Sequence, residues 1–417
     1  MKITAINNNQ NINFTAGKTR ILSDFDGTFM PKEFGHDIVC NNNPPVDSEA
    51  FSSYFGDFRD FFETQNKDDK KTELTISTGR NLYEFNYYMK KIKDKGLAVP
   101  NPDKLIITNG GDEFVRRGED YFSSDKKAMF NSYDVNNKKR TKLKEFVVSY
   151  NPYKVRQQIR GILKSLTGSP VVFEPKTHQG MYGYQDNMTL QEKVEKNGNI
   201  TNYVSMRRDG AYQIRLTAPM ESEHLEPLKQ IPQQLIDMGY DIDFEVDEKD
   251  NETCVNLATD GSVWNLGTSV DIKPTTRGKI KVLDKFHHAK LMADEIMKNN
   301  SDDLVVVAGD GGNDLKMLNL SNYIDSMEDF NDFSKPEFRD EISKLPIISI
   351  FVRNSSSLDD KVLEYEKAFN FDGQTRFIIV DKGNPDRPQT LLDAIKLAQV
   401  EYAKRNEKFS EEFNKWE

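Results

Sequence analysis

The chain has 417 residues, 36% apolar and 30% charged, with a formal net charge of −10 and an isoelectric point near 5.3. That length supports two or three domains with a sizeable core, and the acidic balance argues against a general nucleic-acid binder. Cys40 and Cys254 are the only cysteines, too few and too far apart for a disulfide scaffold or a thiolate metal site, so a reduced compartment is the simple expectation.

Residues 1–17 read as a flexible leader or a weak edge strand. The start "MKITAINNNQNINFTAGKTR" has no continuous apolar signal region, and no apolar run is long enough to span a bilayer, so a cytoplasmic location is expected. Residues 18–117 read as the first part of a main sheet. "RILSD" (20–24), "LTIST" (74–78) and "KLIITNG" (104–110) are short apolar runs that end in polar or glycine-bearing turns. Parallel strands with helices over both faces have this pattern. The stretch between the first two runs has room for a hairpin flap and little more, with "ETQNKDDKKTE" (63–73) as a solvated loop. Leu82, Phe85 and Met89 then recur at helical spacing.

Residues 118–267 read as a separate, smaller α/β domain inserted into the main sheet. "VVSYNPYKVRQQIRGILKSL" enters a helix, "SPVVFEP" and "AYQIRLTAP" are strands, "HLEPLKQIPQQLIDMG" is a helix despite Pro232, and "YDIDFEV" alternates like a half-exposed strand. The main sheet resumes over 268–404. Ile280, Leu283, Phe286 and Leu291 have helical spacing ahead of "LVVVAGDGG" (304–312). "IISIFV" (347–352) and "RFIIV" (376–380) are further buried strands, and Leu391, Ala394, Ile395 and Ala398 mark a last helix. Residues 324–346 read as a long acidic connection without an assigned job, and 405–417 as a tail, at most a frayed helix. The class is α/β, an open and mainly parallel sheet.

The acids collect at one edge of that sheet. Asp24 and Asp26 end the first run, and Asp310 and Asp314 follow the fourth in "AGDGGNDLKML". Thr78 ends the second run, and Lys279 stands at the start of "GKIKVLDKF". Ligands of open α/β sheets bind outside the carboxyl ends of the strands, which is where both acidic pairs fall. Converging carboxylates repel unless a cation joins them, and oxygen ligands without a His or Cys cluster suit Mg2+ better than zinc. A metal there lets a phosphate approach, with Asp24 as nucleophile and Asp26 as acid and base. Taken alone, Asp-x-Asp-Gly-Thr is also a turn with a helix cap. The second acidic motif at another strand end decides for chemistry.

"DFDGT", "STGR", the lysine of "RGKIKVLDKF" and "GDGGND" resemble, in this order, the four motifs of the haloacid dehalogenase superfamily. "NPDKLIITNGGDEF", "RGKIKVLDKF" and "VVVAGDGGNDLKML" are most similar to its sucrose-phosphate phosphatase-like and Cof-like sugar-phosphate phosphatases. The resemblance spans most of residues 18–400, strongly over the motifs and weakly over the insertion. It implies a Rossmann-like core with a C2-type cap after the second motif, and a Mg2+-dependent phosphatase acting on a small phosphorylated metabolite. By resemblance Asp24 forms an aspartyl-phosphate, while Asp26 is acid and base and lends its backbone carbonyl to the metal. Thr78 binds the phosphoryl oxygens, Lys279 neutralises charge, Asp310 ligates the metal and Asp314 orients its water shell. Gly27, Thr28, Gly79 and Asn313 support the phosphate or the loops around it, Gly27 by leaving room for the phosphate. The lysine motif of the resembled group reads Gly-Lys-Gly. Here it is Gly278-Lys279-Ile280, which keeps Arg277 and Lys281 as alternatives.

Substrate candidates are Asn109 and His36 near the strand ends and Tyr184, Gln185 and Arg215 in the insertion. For each of these a turn, a structural loop or a solvated edge is the plainer explanation. The competing functions are a phosphatase for a nucleotide, polyol or vitamin phosphate, and a binding protein on a retired hydrolase fold. Neither nucleic acid nor membrane is an expected partner.

Overall fold

The computed structural model describes residues 17–35, 38–39, 44–69, 71–80, 82–107, 112–117, 120–123, 152–167, 171–173, 203–209, 213–219, 225–240, 242–247, 253–255, 263–274, 285–324, 335–354 and 358–413. In chain order the elements are β1 (Thr19–Asp24), α1 (Ser48–Gln65), β2 (Thr72–Ser77), α2 (Leu82–Asp94), β3 (Lys104–Ile107), β4 (Asp112–Arg117), β5 (Asp120–Ser123), α3 (Pro152–Thr167), β6 (Val171–Phe173), β7 (Tyr203–Asp209) and β8 (Gln213–Pro219). They continue with α4 (Leu225–Asp237), β9 (Ile242–Asp247), β10 (Thr253–Val255), β11 (Val263–Pro274), α5 (Lys285–Asn299), β12 (Leu304–Gly309), α6 (Leu315–Leu318), α7 (Pro336–Lys344), β13 (Ile347–Val352), α8 (Asp359–Phe369), β14 (Phe377–Val380) and α9 (Leu391–Phe413). The chain divides into two compact units, one of residues 1–78, 88–106 and 285–417, the other of 79–87 and 107–284.

In the first unit the strands run in the order β14-β13-β12-β1-β2-β3, with every neighbouring pair parallel. All six residues of β12 and all four of β14 are buried, as strands covered on both faces must be. Parallel alignment puts the carboxyl ends on one edge. Asp24 stands in register with Ser77, and Ala308 with Ser23. A core of β12, β13 and β14 side chains with Ala289, Ala293, Ile296, Phe338 and Phe369 holds the helices against this sheet.

The stretch after β1 departs from the expected hairpin flap. It carries α1, capped by Asp47, whose carboxylate accepts from Glu49 N at 3.1 Å and Ala50 N at 3.0 Å. Phe51, Phe55, Phe58 and Phe61 recur at three- and four-residue spacing and are all buried. Phe29 meets Phe58 with ring centroids 5.2 Å apart, and Phe34 meets Phe51 at 5.0 Å. Tyr88 packs edge-on against Phe25 and donates its hydroxyl to Phe34 O at 2.6 Å. The loop that follows β1 is thus pinned by aromatic packing. Within the acidic connection, α7 starts on Pro336 and buries Phe338 and Ile342 one turn apart. The last helix runs beyond residue 405, and Arg405 is buried and donates to Leu345 O at 3.0 Å.

The second unit contains the β4–β5 hairpin and a six-stranded sheet in the order β10-β11-β8-β7-β6, with β9 also paired to β11. Leu216 of β8 is buried, as are Val155, Ile159, Ile162 and Leu163 of α3 and Leu228, Ile231 and Leu235 of α4. Those helices pack on each other and on β8, and α4 runs unbroken through Pro232. The strands and helices read from 152 to 247 are present. β10, β11 and the hairpin were not anticipated. Among the described residues no helix is long and apolar enough to cross a membrane.

Candidate active site

Asp24 is the last residue of β1 and only 6% exposed. Its Oδ1 accepts from Lys285 Nζ at 2.5 Å. The same ammonium donates to Asp314 Oδ1 at 2.8 Å, and Asp314 is fully buried. Asp314 Oδ2 accepts from the backbone N–H groups of Asp310 at 3.2 Å and Gly311 at 3.1 Å. Asp314 therefore has both oxygens committed, one to a cation and one to the loop that carries Asp310. A Cβ on Gly309 would lie 2.4 Å from that of Asp314, so the strand end must be glycine for Asp314 to fold back.

Asp310 is held from two directions. Thr28 Oγ1 donates to its Oδ1 at 3.2 Å, and Asn354 Nδ2 to its Oδ2 at 2.8 Å. Asn354 Nδ2 also donates to Gly27 O at 2.7 Å. Gly27 has φ +82°, and a Cβ there would lie 2.3 Å from Asp310 Oδ2. The motif resemblance has Gly27 leave room for phosphate; in the fold that room is filled by the Asp310 carboxylate.

One ligand oxygen from each of Asp24, Asp310 and Asp314 lies within 4.8 Å of the others. Burial pushes Asp24 well above the usual carboxylate range. Lys285 opposes that shift, while Asp314 and Asp26 add to it. Burial also raises Asp310, against hydrogen bonds from Asn354 and Thr28 and the charge of Lys32, with Asp314 adding to the rise. Burial works against the Lys285 ammonium too, yet the Asp24 and Asp314 carboxylates together hold it above the ordinary lysine value. Three carboxylates facing one ammonium leave negative charge uncompensated in a buried place. Hard oxygen donors with spare lone pairs on Asp24 and Asp310 fit a divalent cation such as Mg2+.

Thr78 is fully buried one residue beyond β2, and its N–H donates to Ile106 O at 2.8 Å. Asp26 is half-buried and forms an isolated bridge with Met30. It does not belong to the tight carboxylate group. Gly79 is exposed in the bend after Thr78, and Asn313 lies within the turn Gly312–Asp314. Arg215 lies on β8. Lys279, Arg277, Lys281, Asn109, His36, Tyr184 and Gln185 lie outside the described residues.

Two site residues escaped the sequence reading. Lys285 is the first residue of α5, the helix that leads into β12. A helix preceding a parallel strand starts at the carboxyl edge of the sheet, so a lysine at its first position can reach Asp24. Asn354 lies two residues beyond β13, the neighbour of β12, and its place past a buried strand was the available signal.

The parallel α/β sheet thus carries at the end of β1 and beyond β12 a buried Asp24–Asp310–Asp314 cluster that could hold a divalent cation. No protein-family model matches the chain, and no curated protein matches it by sequence. Among solved structures the chain is similar to yhjK, a haloacid dehalogenase-like hydrolase protein from Bacillus subtilis. The identity is 12%, over 83% of this chain and 88% of that one, with a TM-score of 0.39. It is also similar to the C-terminal domain of the Candida albicans trehalose synthase regulatory protein, at 9% identity over 92% and 93% of the two chains and a TM-score of 0.34. At these scores the likenesses carry no functional inference.

Proposed function

We propose that the protein is a Mg2+-dependent phosphomonoester hydrolase that acts on a small phosphorylated metabolite, in the first place a sugar phosphate. The observation that carries this reading is Lys285 bridging Asp24 and Asp314 beside Asp310. One carboxylate at a strand end is thereby fixed by one oxygen, and its Oδ2 accepts no hydrogen bond among the described residues. Asp24 Oδ2 attacks phosphorus, the phosphorus–oxygen bond to the alcohol breaks, and Asp26 protonates the departing oxygen. Asp26 then takes a proton from water as it attacks phosphorus. Inorganic phosphate leaves and the Asp24 carboxylate is regenerated. Lys285 opposes the upward push that burial gives Asp24, and Thr78 hydrogen-bonds the phosphoryl oxygens. A bound Mg2+, held by Asp24, Asp310 and the Asp26 carbonyl, supplies charge neutralisation for the incoming phosphate. Asp314, with its hydrogen bonds spent on Lys285 and the Asp310 loop, keeps both in place.

The sugar assignment and the selection of the leaving alcohol by the second unit rest on the motif resemblance. A screen of sugar, polyol, nucleotide and vitamin phosphates with added Mg2+ tests the reading. Turnover is expected to stop on chelation and in Asp24→Asn, and to fall by roughly 100- to 10,000-fold in Asp26→Asn. Full activity in purified Asp24→Asn, or in stringently metal-free protein, overturns the mechanism.

A further inference from the structure

We infer that Asn354 is a positioning residue for the metal site, tying the nucleophile loop to the loop that carries Asp310. The inference rests on the metal reading above and assigns a role to a third strand end, that of β13.

One side-chain nitrogen makes both contacts, with Gly27 O at 2.7 Å and Asp310 Oδ2 at 2.8 Å. Both partners can only accept, so the amide orientation is fixed by chemistry. Both N–H bonds of the NH2 group are used. A serine would bring one donor, and an aspartate would place a further carboxylate against Asp310. The two contacts span the loops after β1 and β12. Gly27 makes the approach feasible, because a Cβ there would stand 3.0 Å from Asn354 Nδ2 and closer still to Asp310.

Asn354 is itself held. The preceding Arg353 donates to Asp381 at 2.7 Å from one terminal nitrogen, and to Asp359 from its other terminal nitrogen and, at 3.0 Å, from Nε. Asp359 begins α8 and Asp381 follows β14. Arg353, next to Asn354, is thereby tied to the start of α8 and to the end of β14. With Thr28 on Oδ1 and Asn354 on Oδ2, each Asp310 oxygen accepts one hydrogen bond and keeps a lone pair for a cation. A neutral donor orients the carboxylate and favours its ionised form without the charge of a lysine, which would compete with the metal.

The test is Mg2+ binding to the full-length chain by titration calorimetry without substrate, alongside Mg2+ activation of turnover. Loss of a partner that orients a metal ligand typically weakens metal affinity by about 10- to 100-fold. Asn354→Ala is expected to raise the Mg2+ Kd by at least about tenfold, with turnover recovering most of its wild-type value at saturating Mg2+. Asn354→Ser, which keeps one donor, is expected to fall between the two and serves as the test should the alanine variant not fold. A wild-type Kd in either folded variant overturns the inference and leaves the metal reading standing. If the unaltered chain binds no Mg2+, the metal reading fails and this inference with it.

Discussion

Lys285 is the residue on which the chemistry and the stability of the site most directly meet. It is 3% exposed and donates to two carboxylates that are themselves buried. Removing one partner of a buried ion pair leaves an uncompensated charge and typically costs about 3–5 kcal/mol. Lys285→Met should therefore lower unfolding stability by about that amount in urea titrations and abolish turnover. A lysine held above its unfolded value contributes stability that is fully present below that value and lost only as pH rises through the raised one, so neutral buffer shows the whole effect. Lys279→Met is the companion variant. If it stops turnover while Lys285→Met stays active, the catalytic lysine is Lys279 and the Lys285 pair is structural. The acids were legible in the sequence because Asp-x-Asp and Gly-Asp-Gly-Gly-Asn-Asp end apolar runs, a costly place for carboxylates without a function. Lys285 and Asn354 were not, because each is a single residue of a common type whose contact with the first motif spans hundreds of residues, 261 from Lys285 to Asp24 and 327 from Asn354 to Gly27. A lysine at a helix start usually reads as a solvated charge, and no spacing rule marks a lone asparagine.

At the scale of elements, the parallel strands announced themselves and the helix after the first motif did not. Burial on both faces forces apolar runs such as "LVVVAG" and "FIIV", which stand out against any polar background. The α1 sequence "SEAFSSYFGDFRDFFETQ" mixes Gly56 with aromatic residues of modest helix propensity, so local preference argues weakly for helix. Its phenylalanine spacing was the decisive signal, and tertiary burial of that face makes the helix. β11 hid for a related reason: its Asn265, Gly267 and Asp271 are poor strand formers, and pairing carries the strand, Asn265 with β10 and Asp271 with both β8 and β9, across a register shift around Gly267. Because Phe58 packs on Phe29 and Phe55, it braces the turn that presents Asp24, Gly27 and Thr28. Phe58→Ala is expected to cost about 3–5 kcal/mol and to reduce turnover in the folded fraction. Phe369→Ala, in the core beside β14, should cost a similar amount while sparing turnover at temperatures where the protein remains folded. Equal turnover in the two folded variants would show that α1 supports the fold and not the site.

For the whole molecule, the motif resemblance leads to the expectation that the second unit selects the leaving group, and Arg215 on β8 is the one second-unit candidate among the described residues. In the second unit, Arg215 stands opposite Arg207 on β7 and Asp271 on β11, and Asp271 stands opposite Glu245 on β9. If this unit selects the leaving group, Arg215→Ala should weaken discrimination by roughly 1–3 kcal/mol, the usual loss when one hydrogen-bonding partner is removed. The measurement is kcat/KM for the best substrate of the phosphate screen and for a small generic phosphate ester, in both proteins. The ratio should fall by about 5- to 150-fold, with the generic ester nearly unchanged, because Asp24, Asp26 and Lys285 are untouched. An unchanged ratio in folded protein would move the search for selectivity to the loops at the strand ends, with Asn109 and His36 tested next.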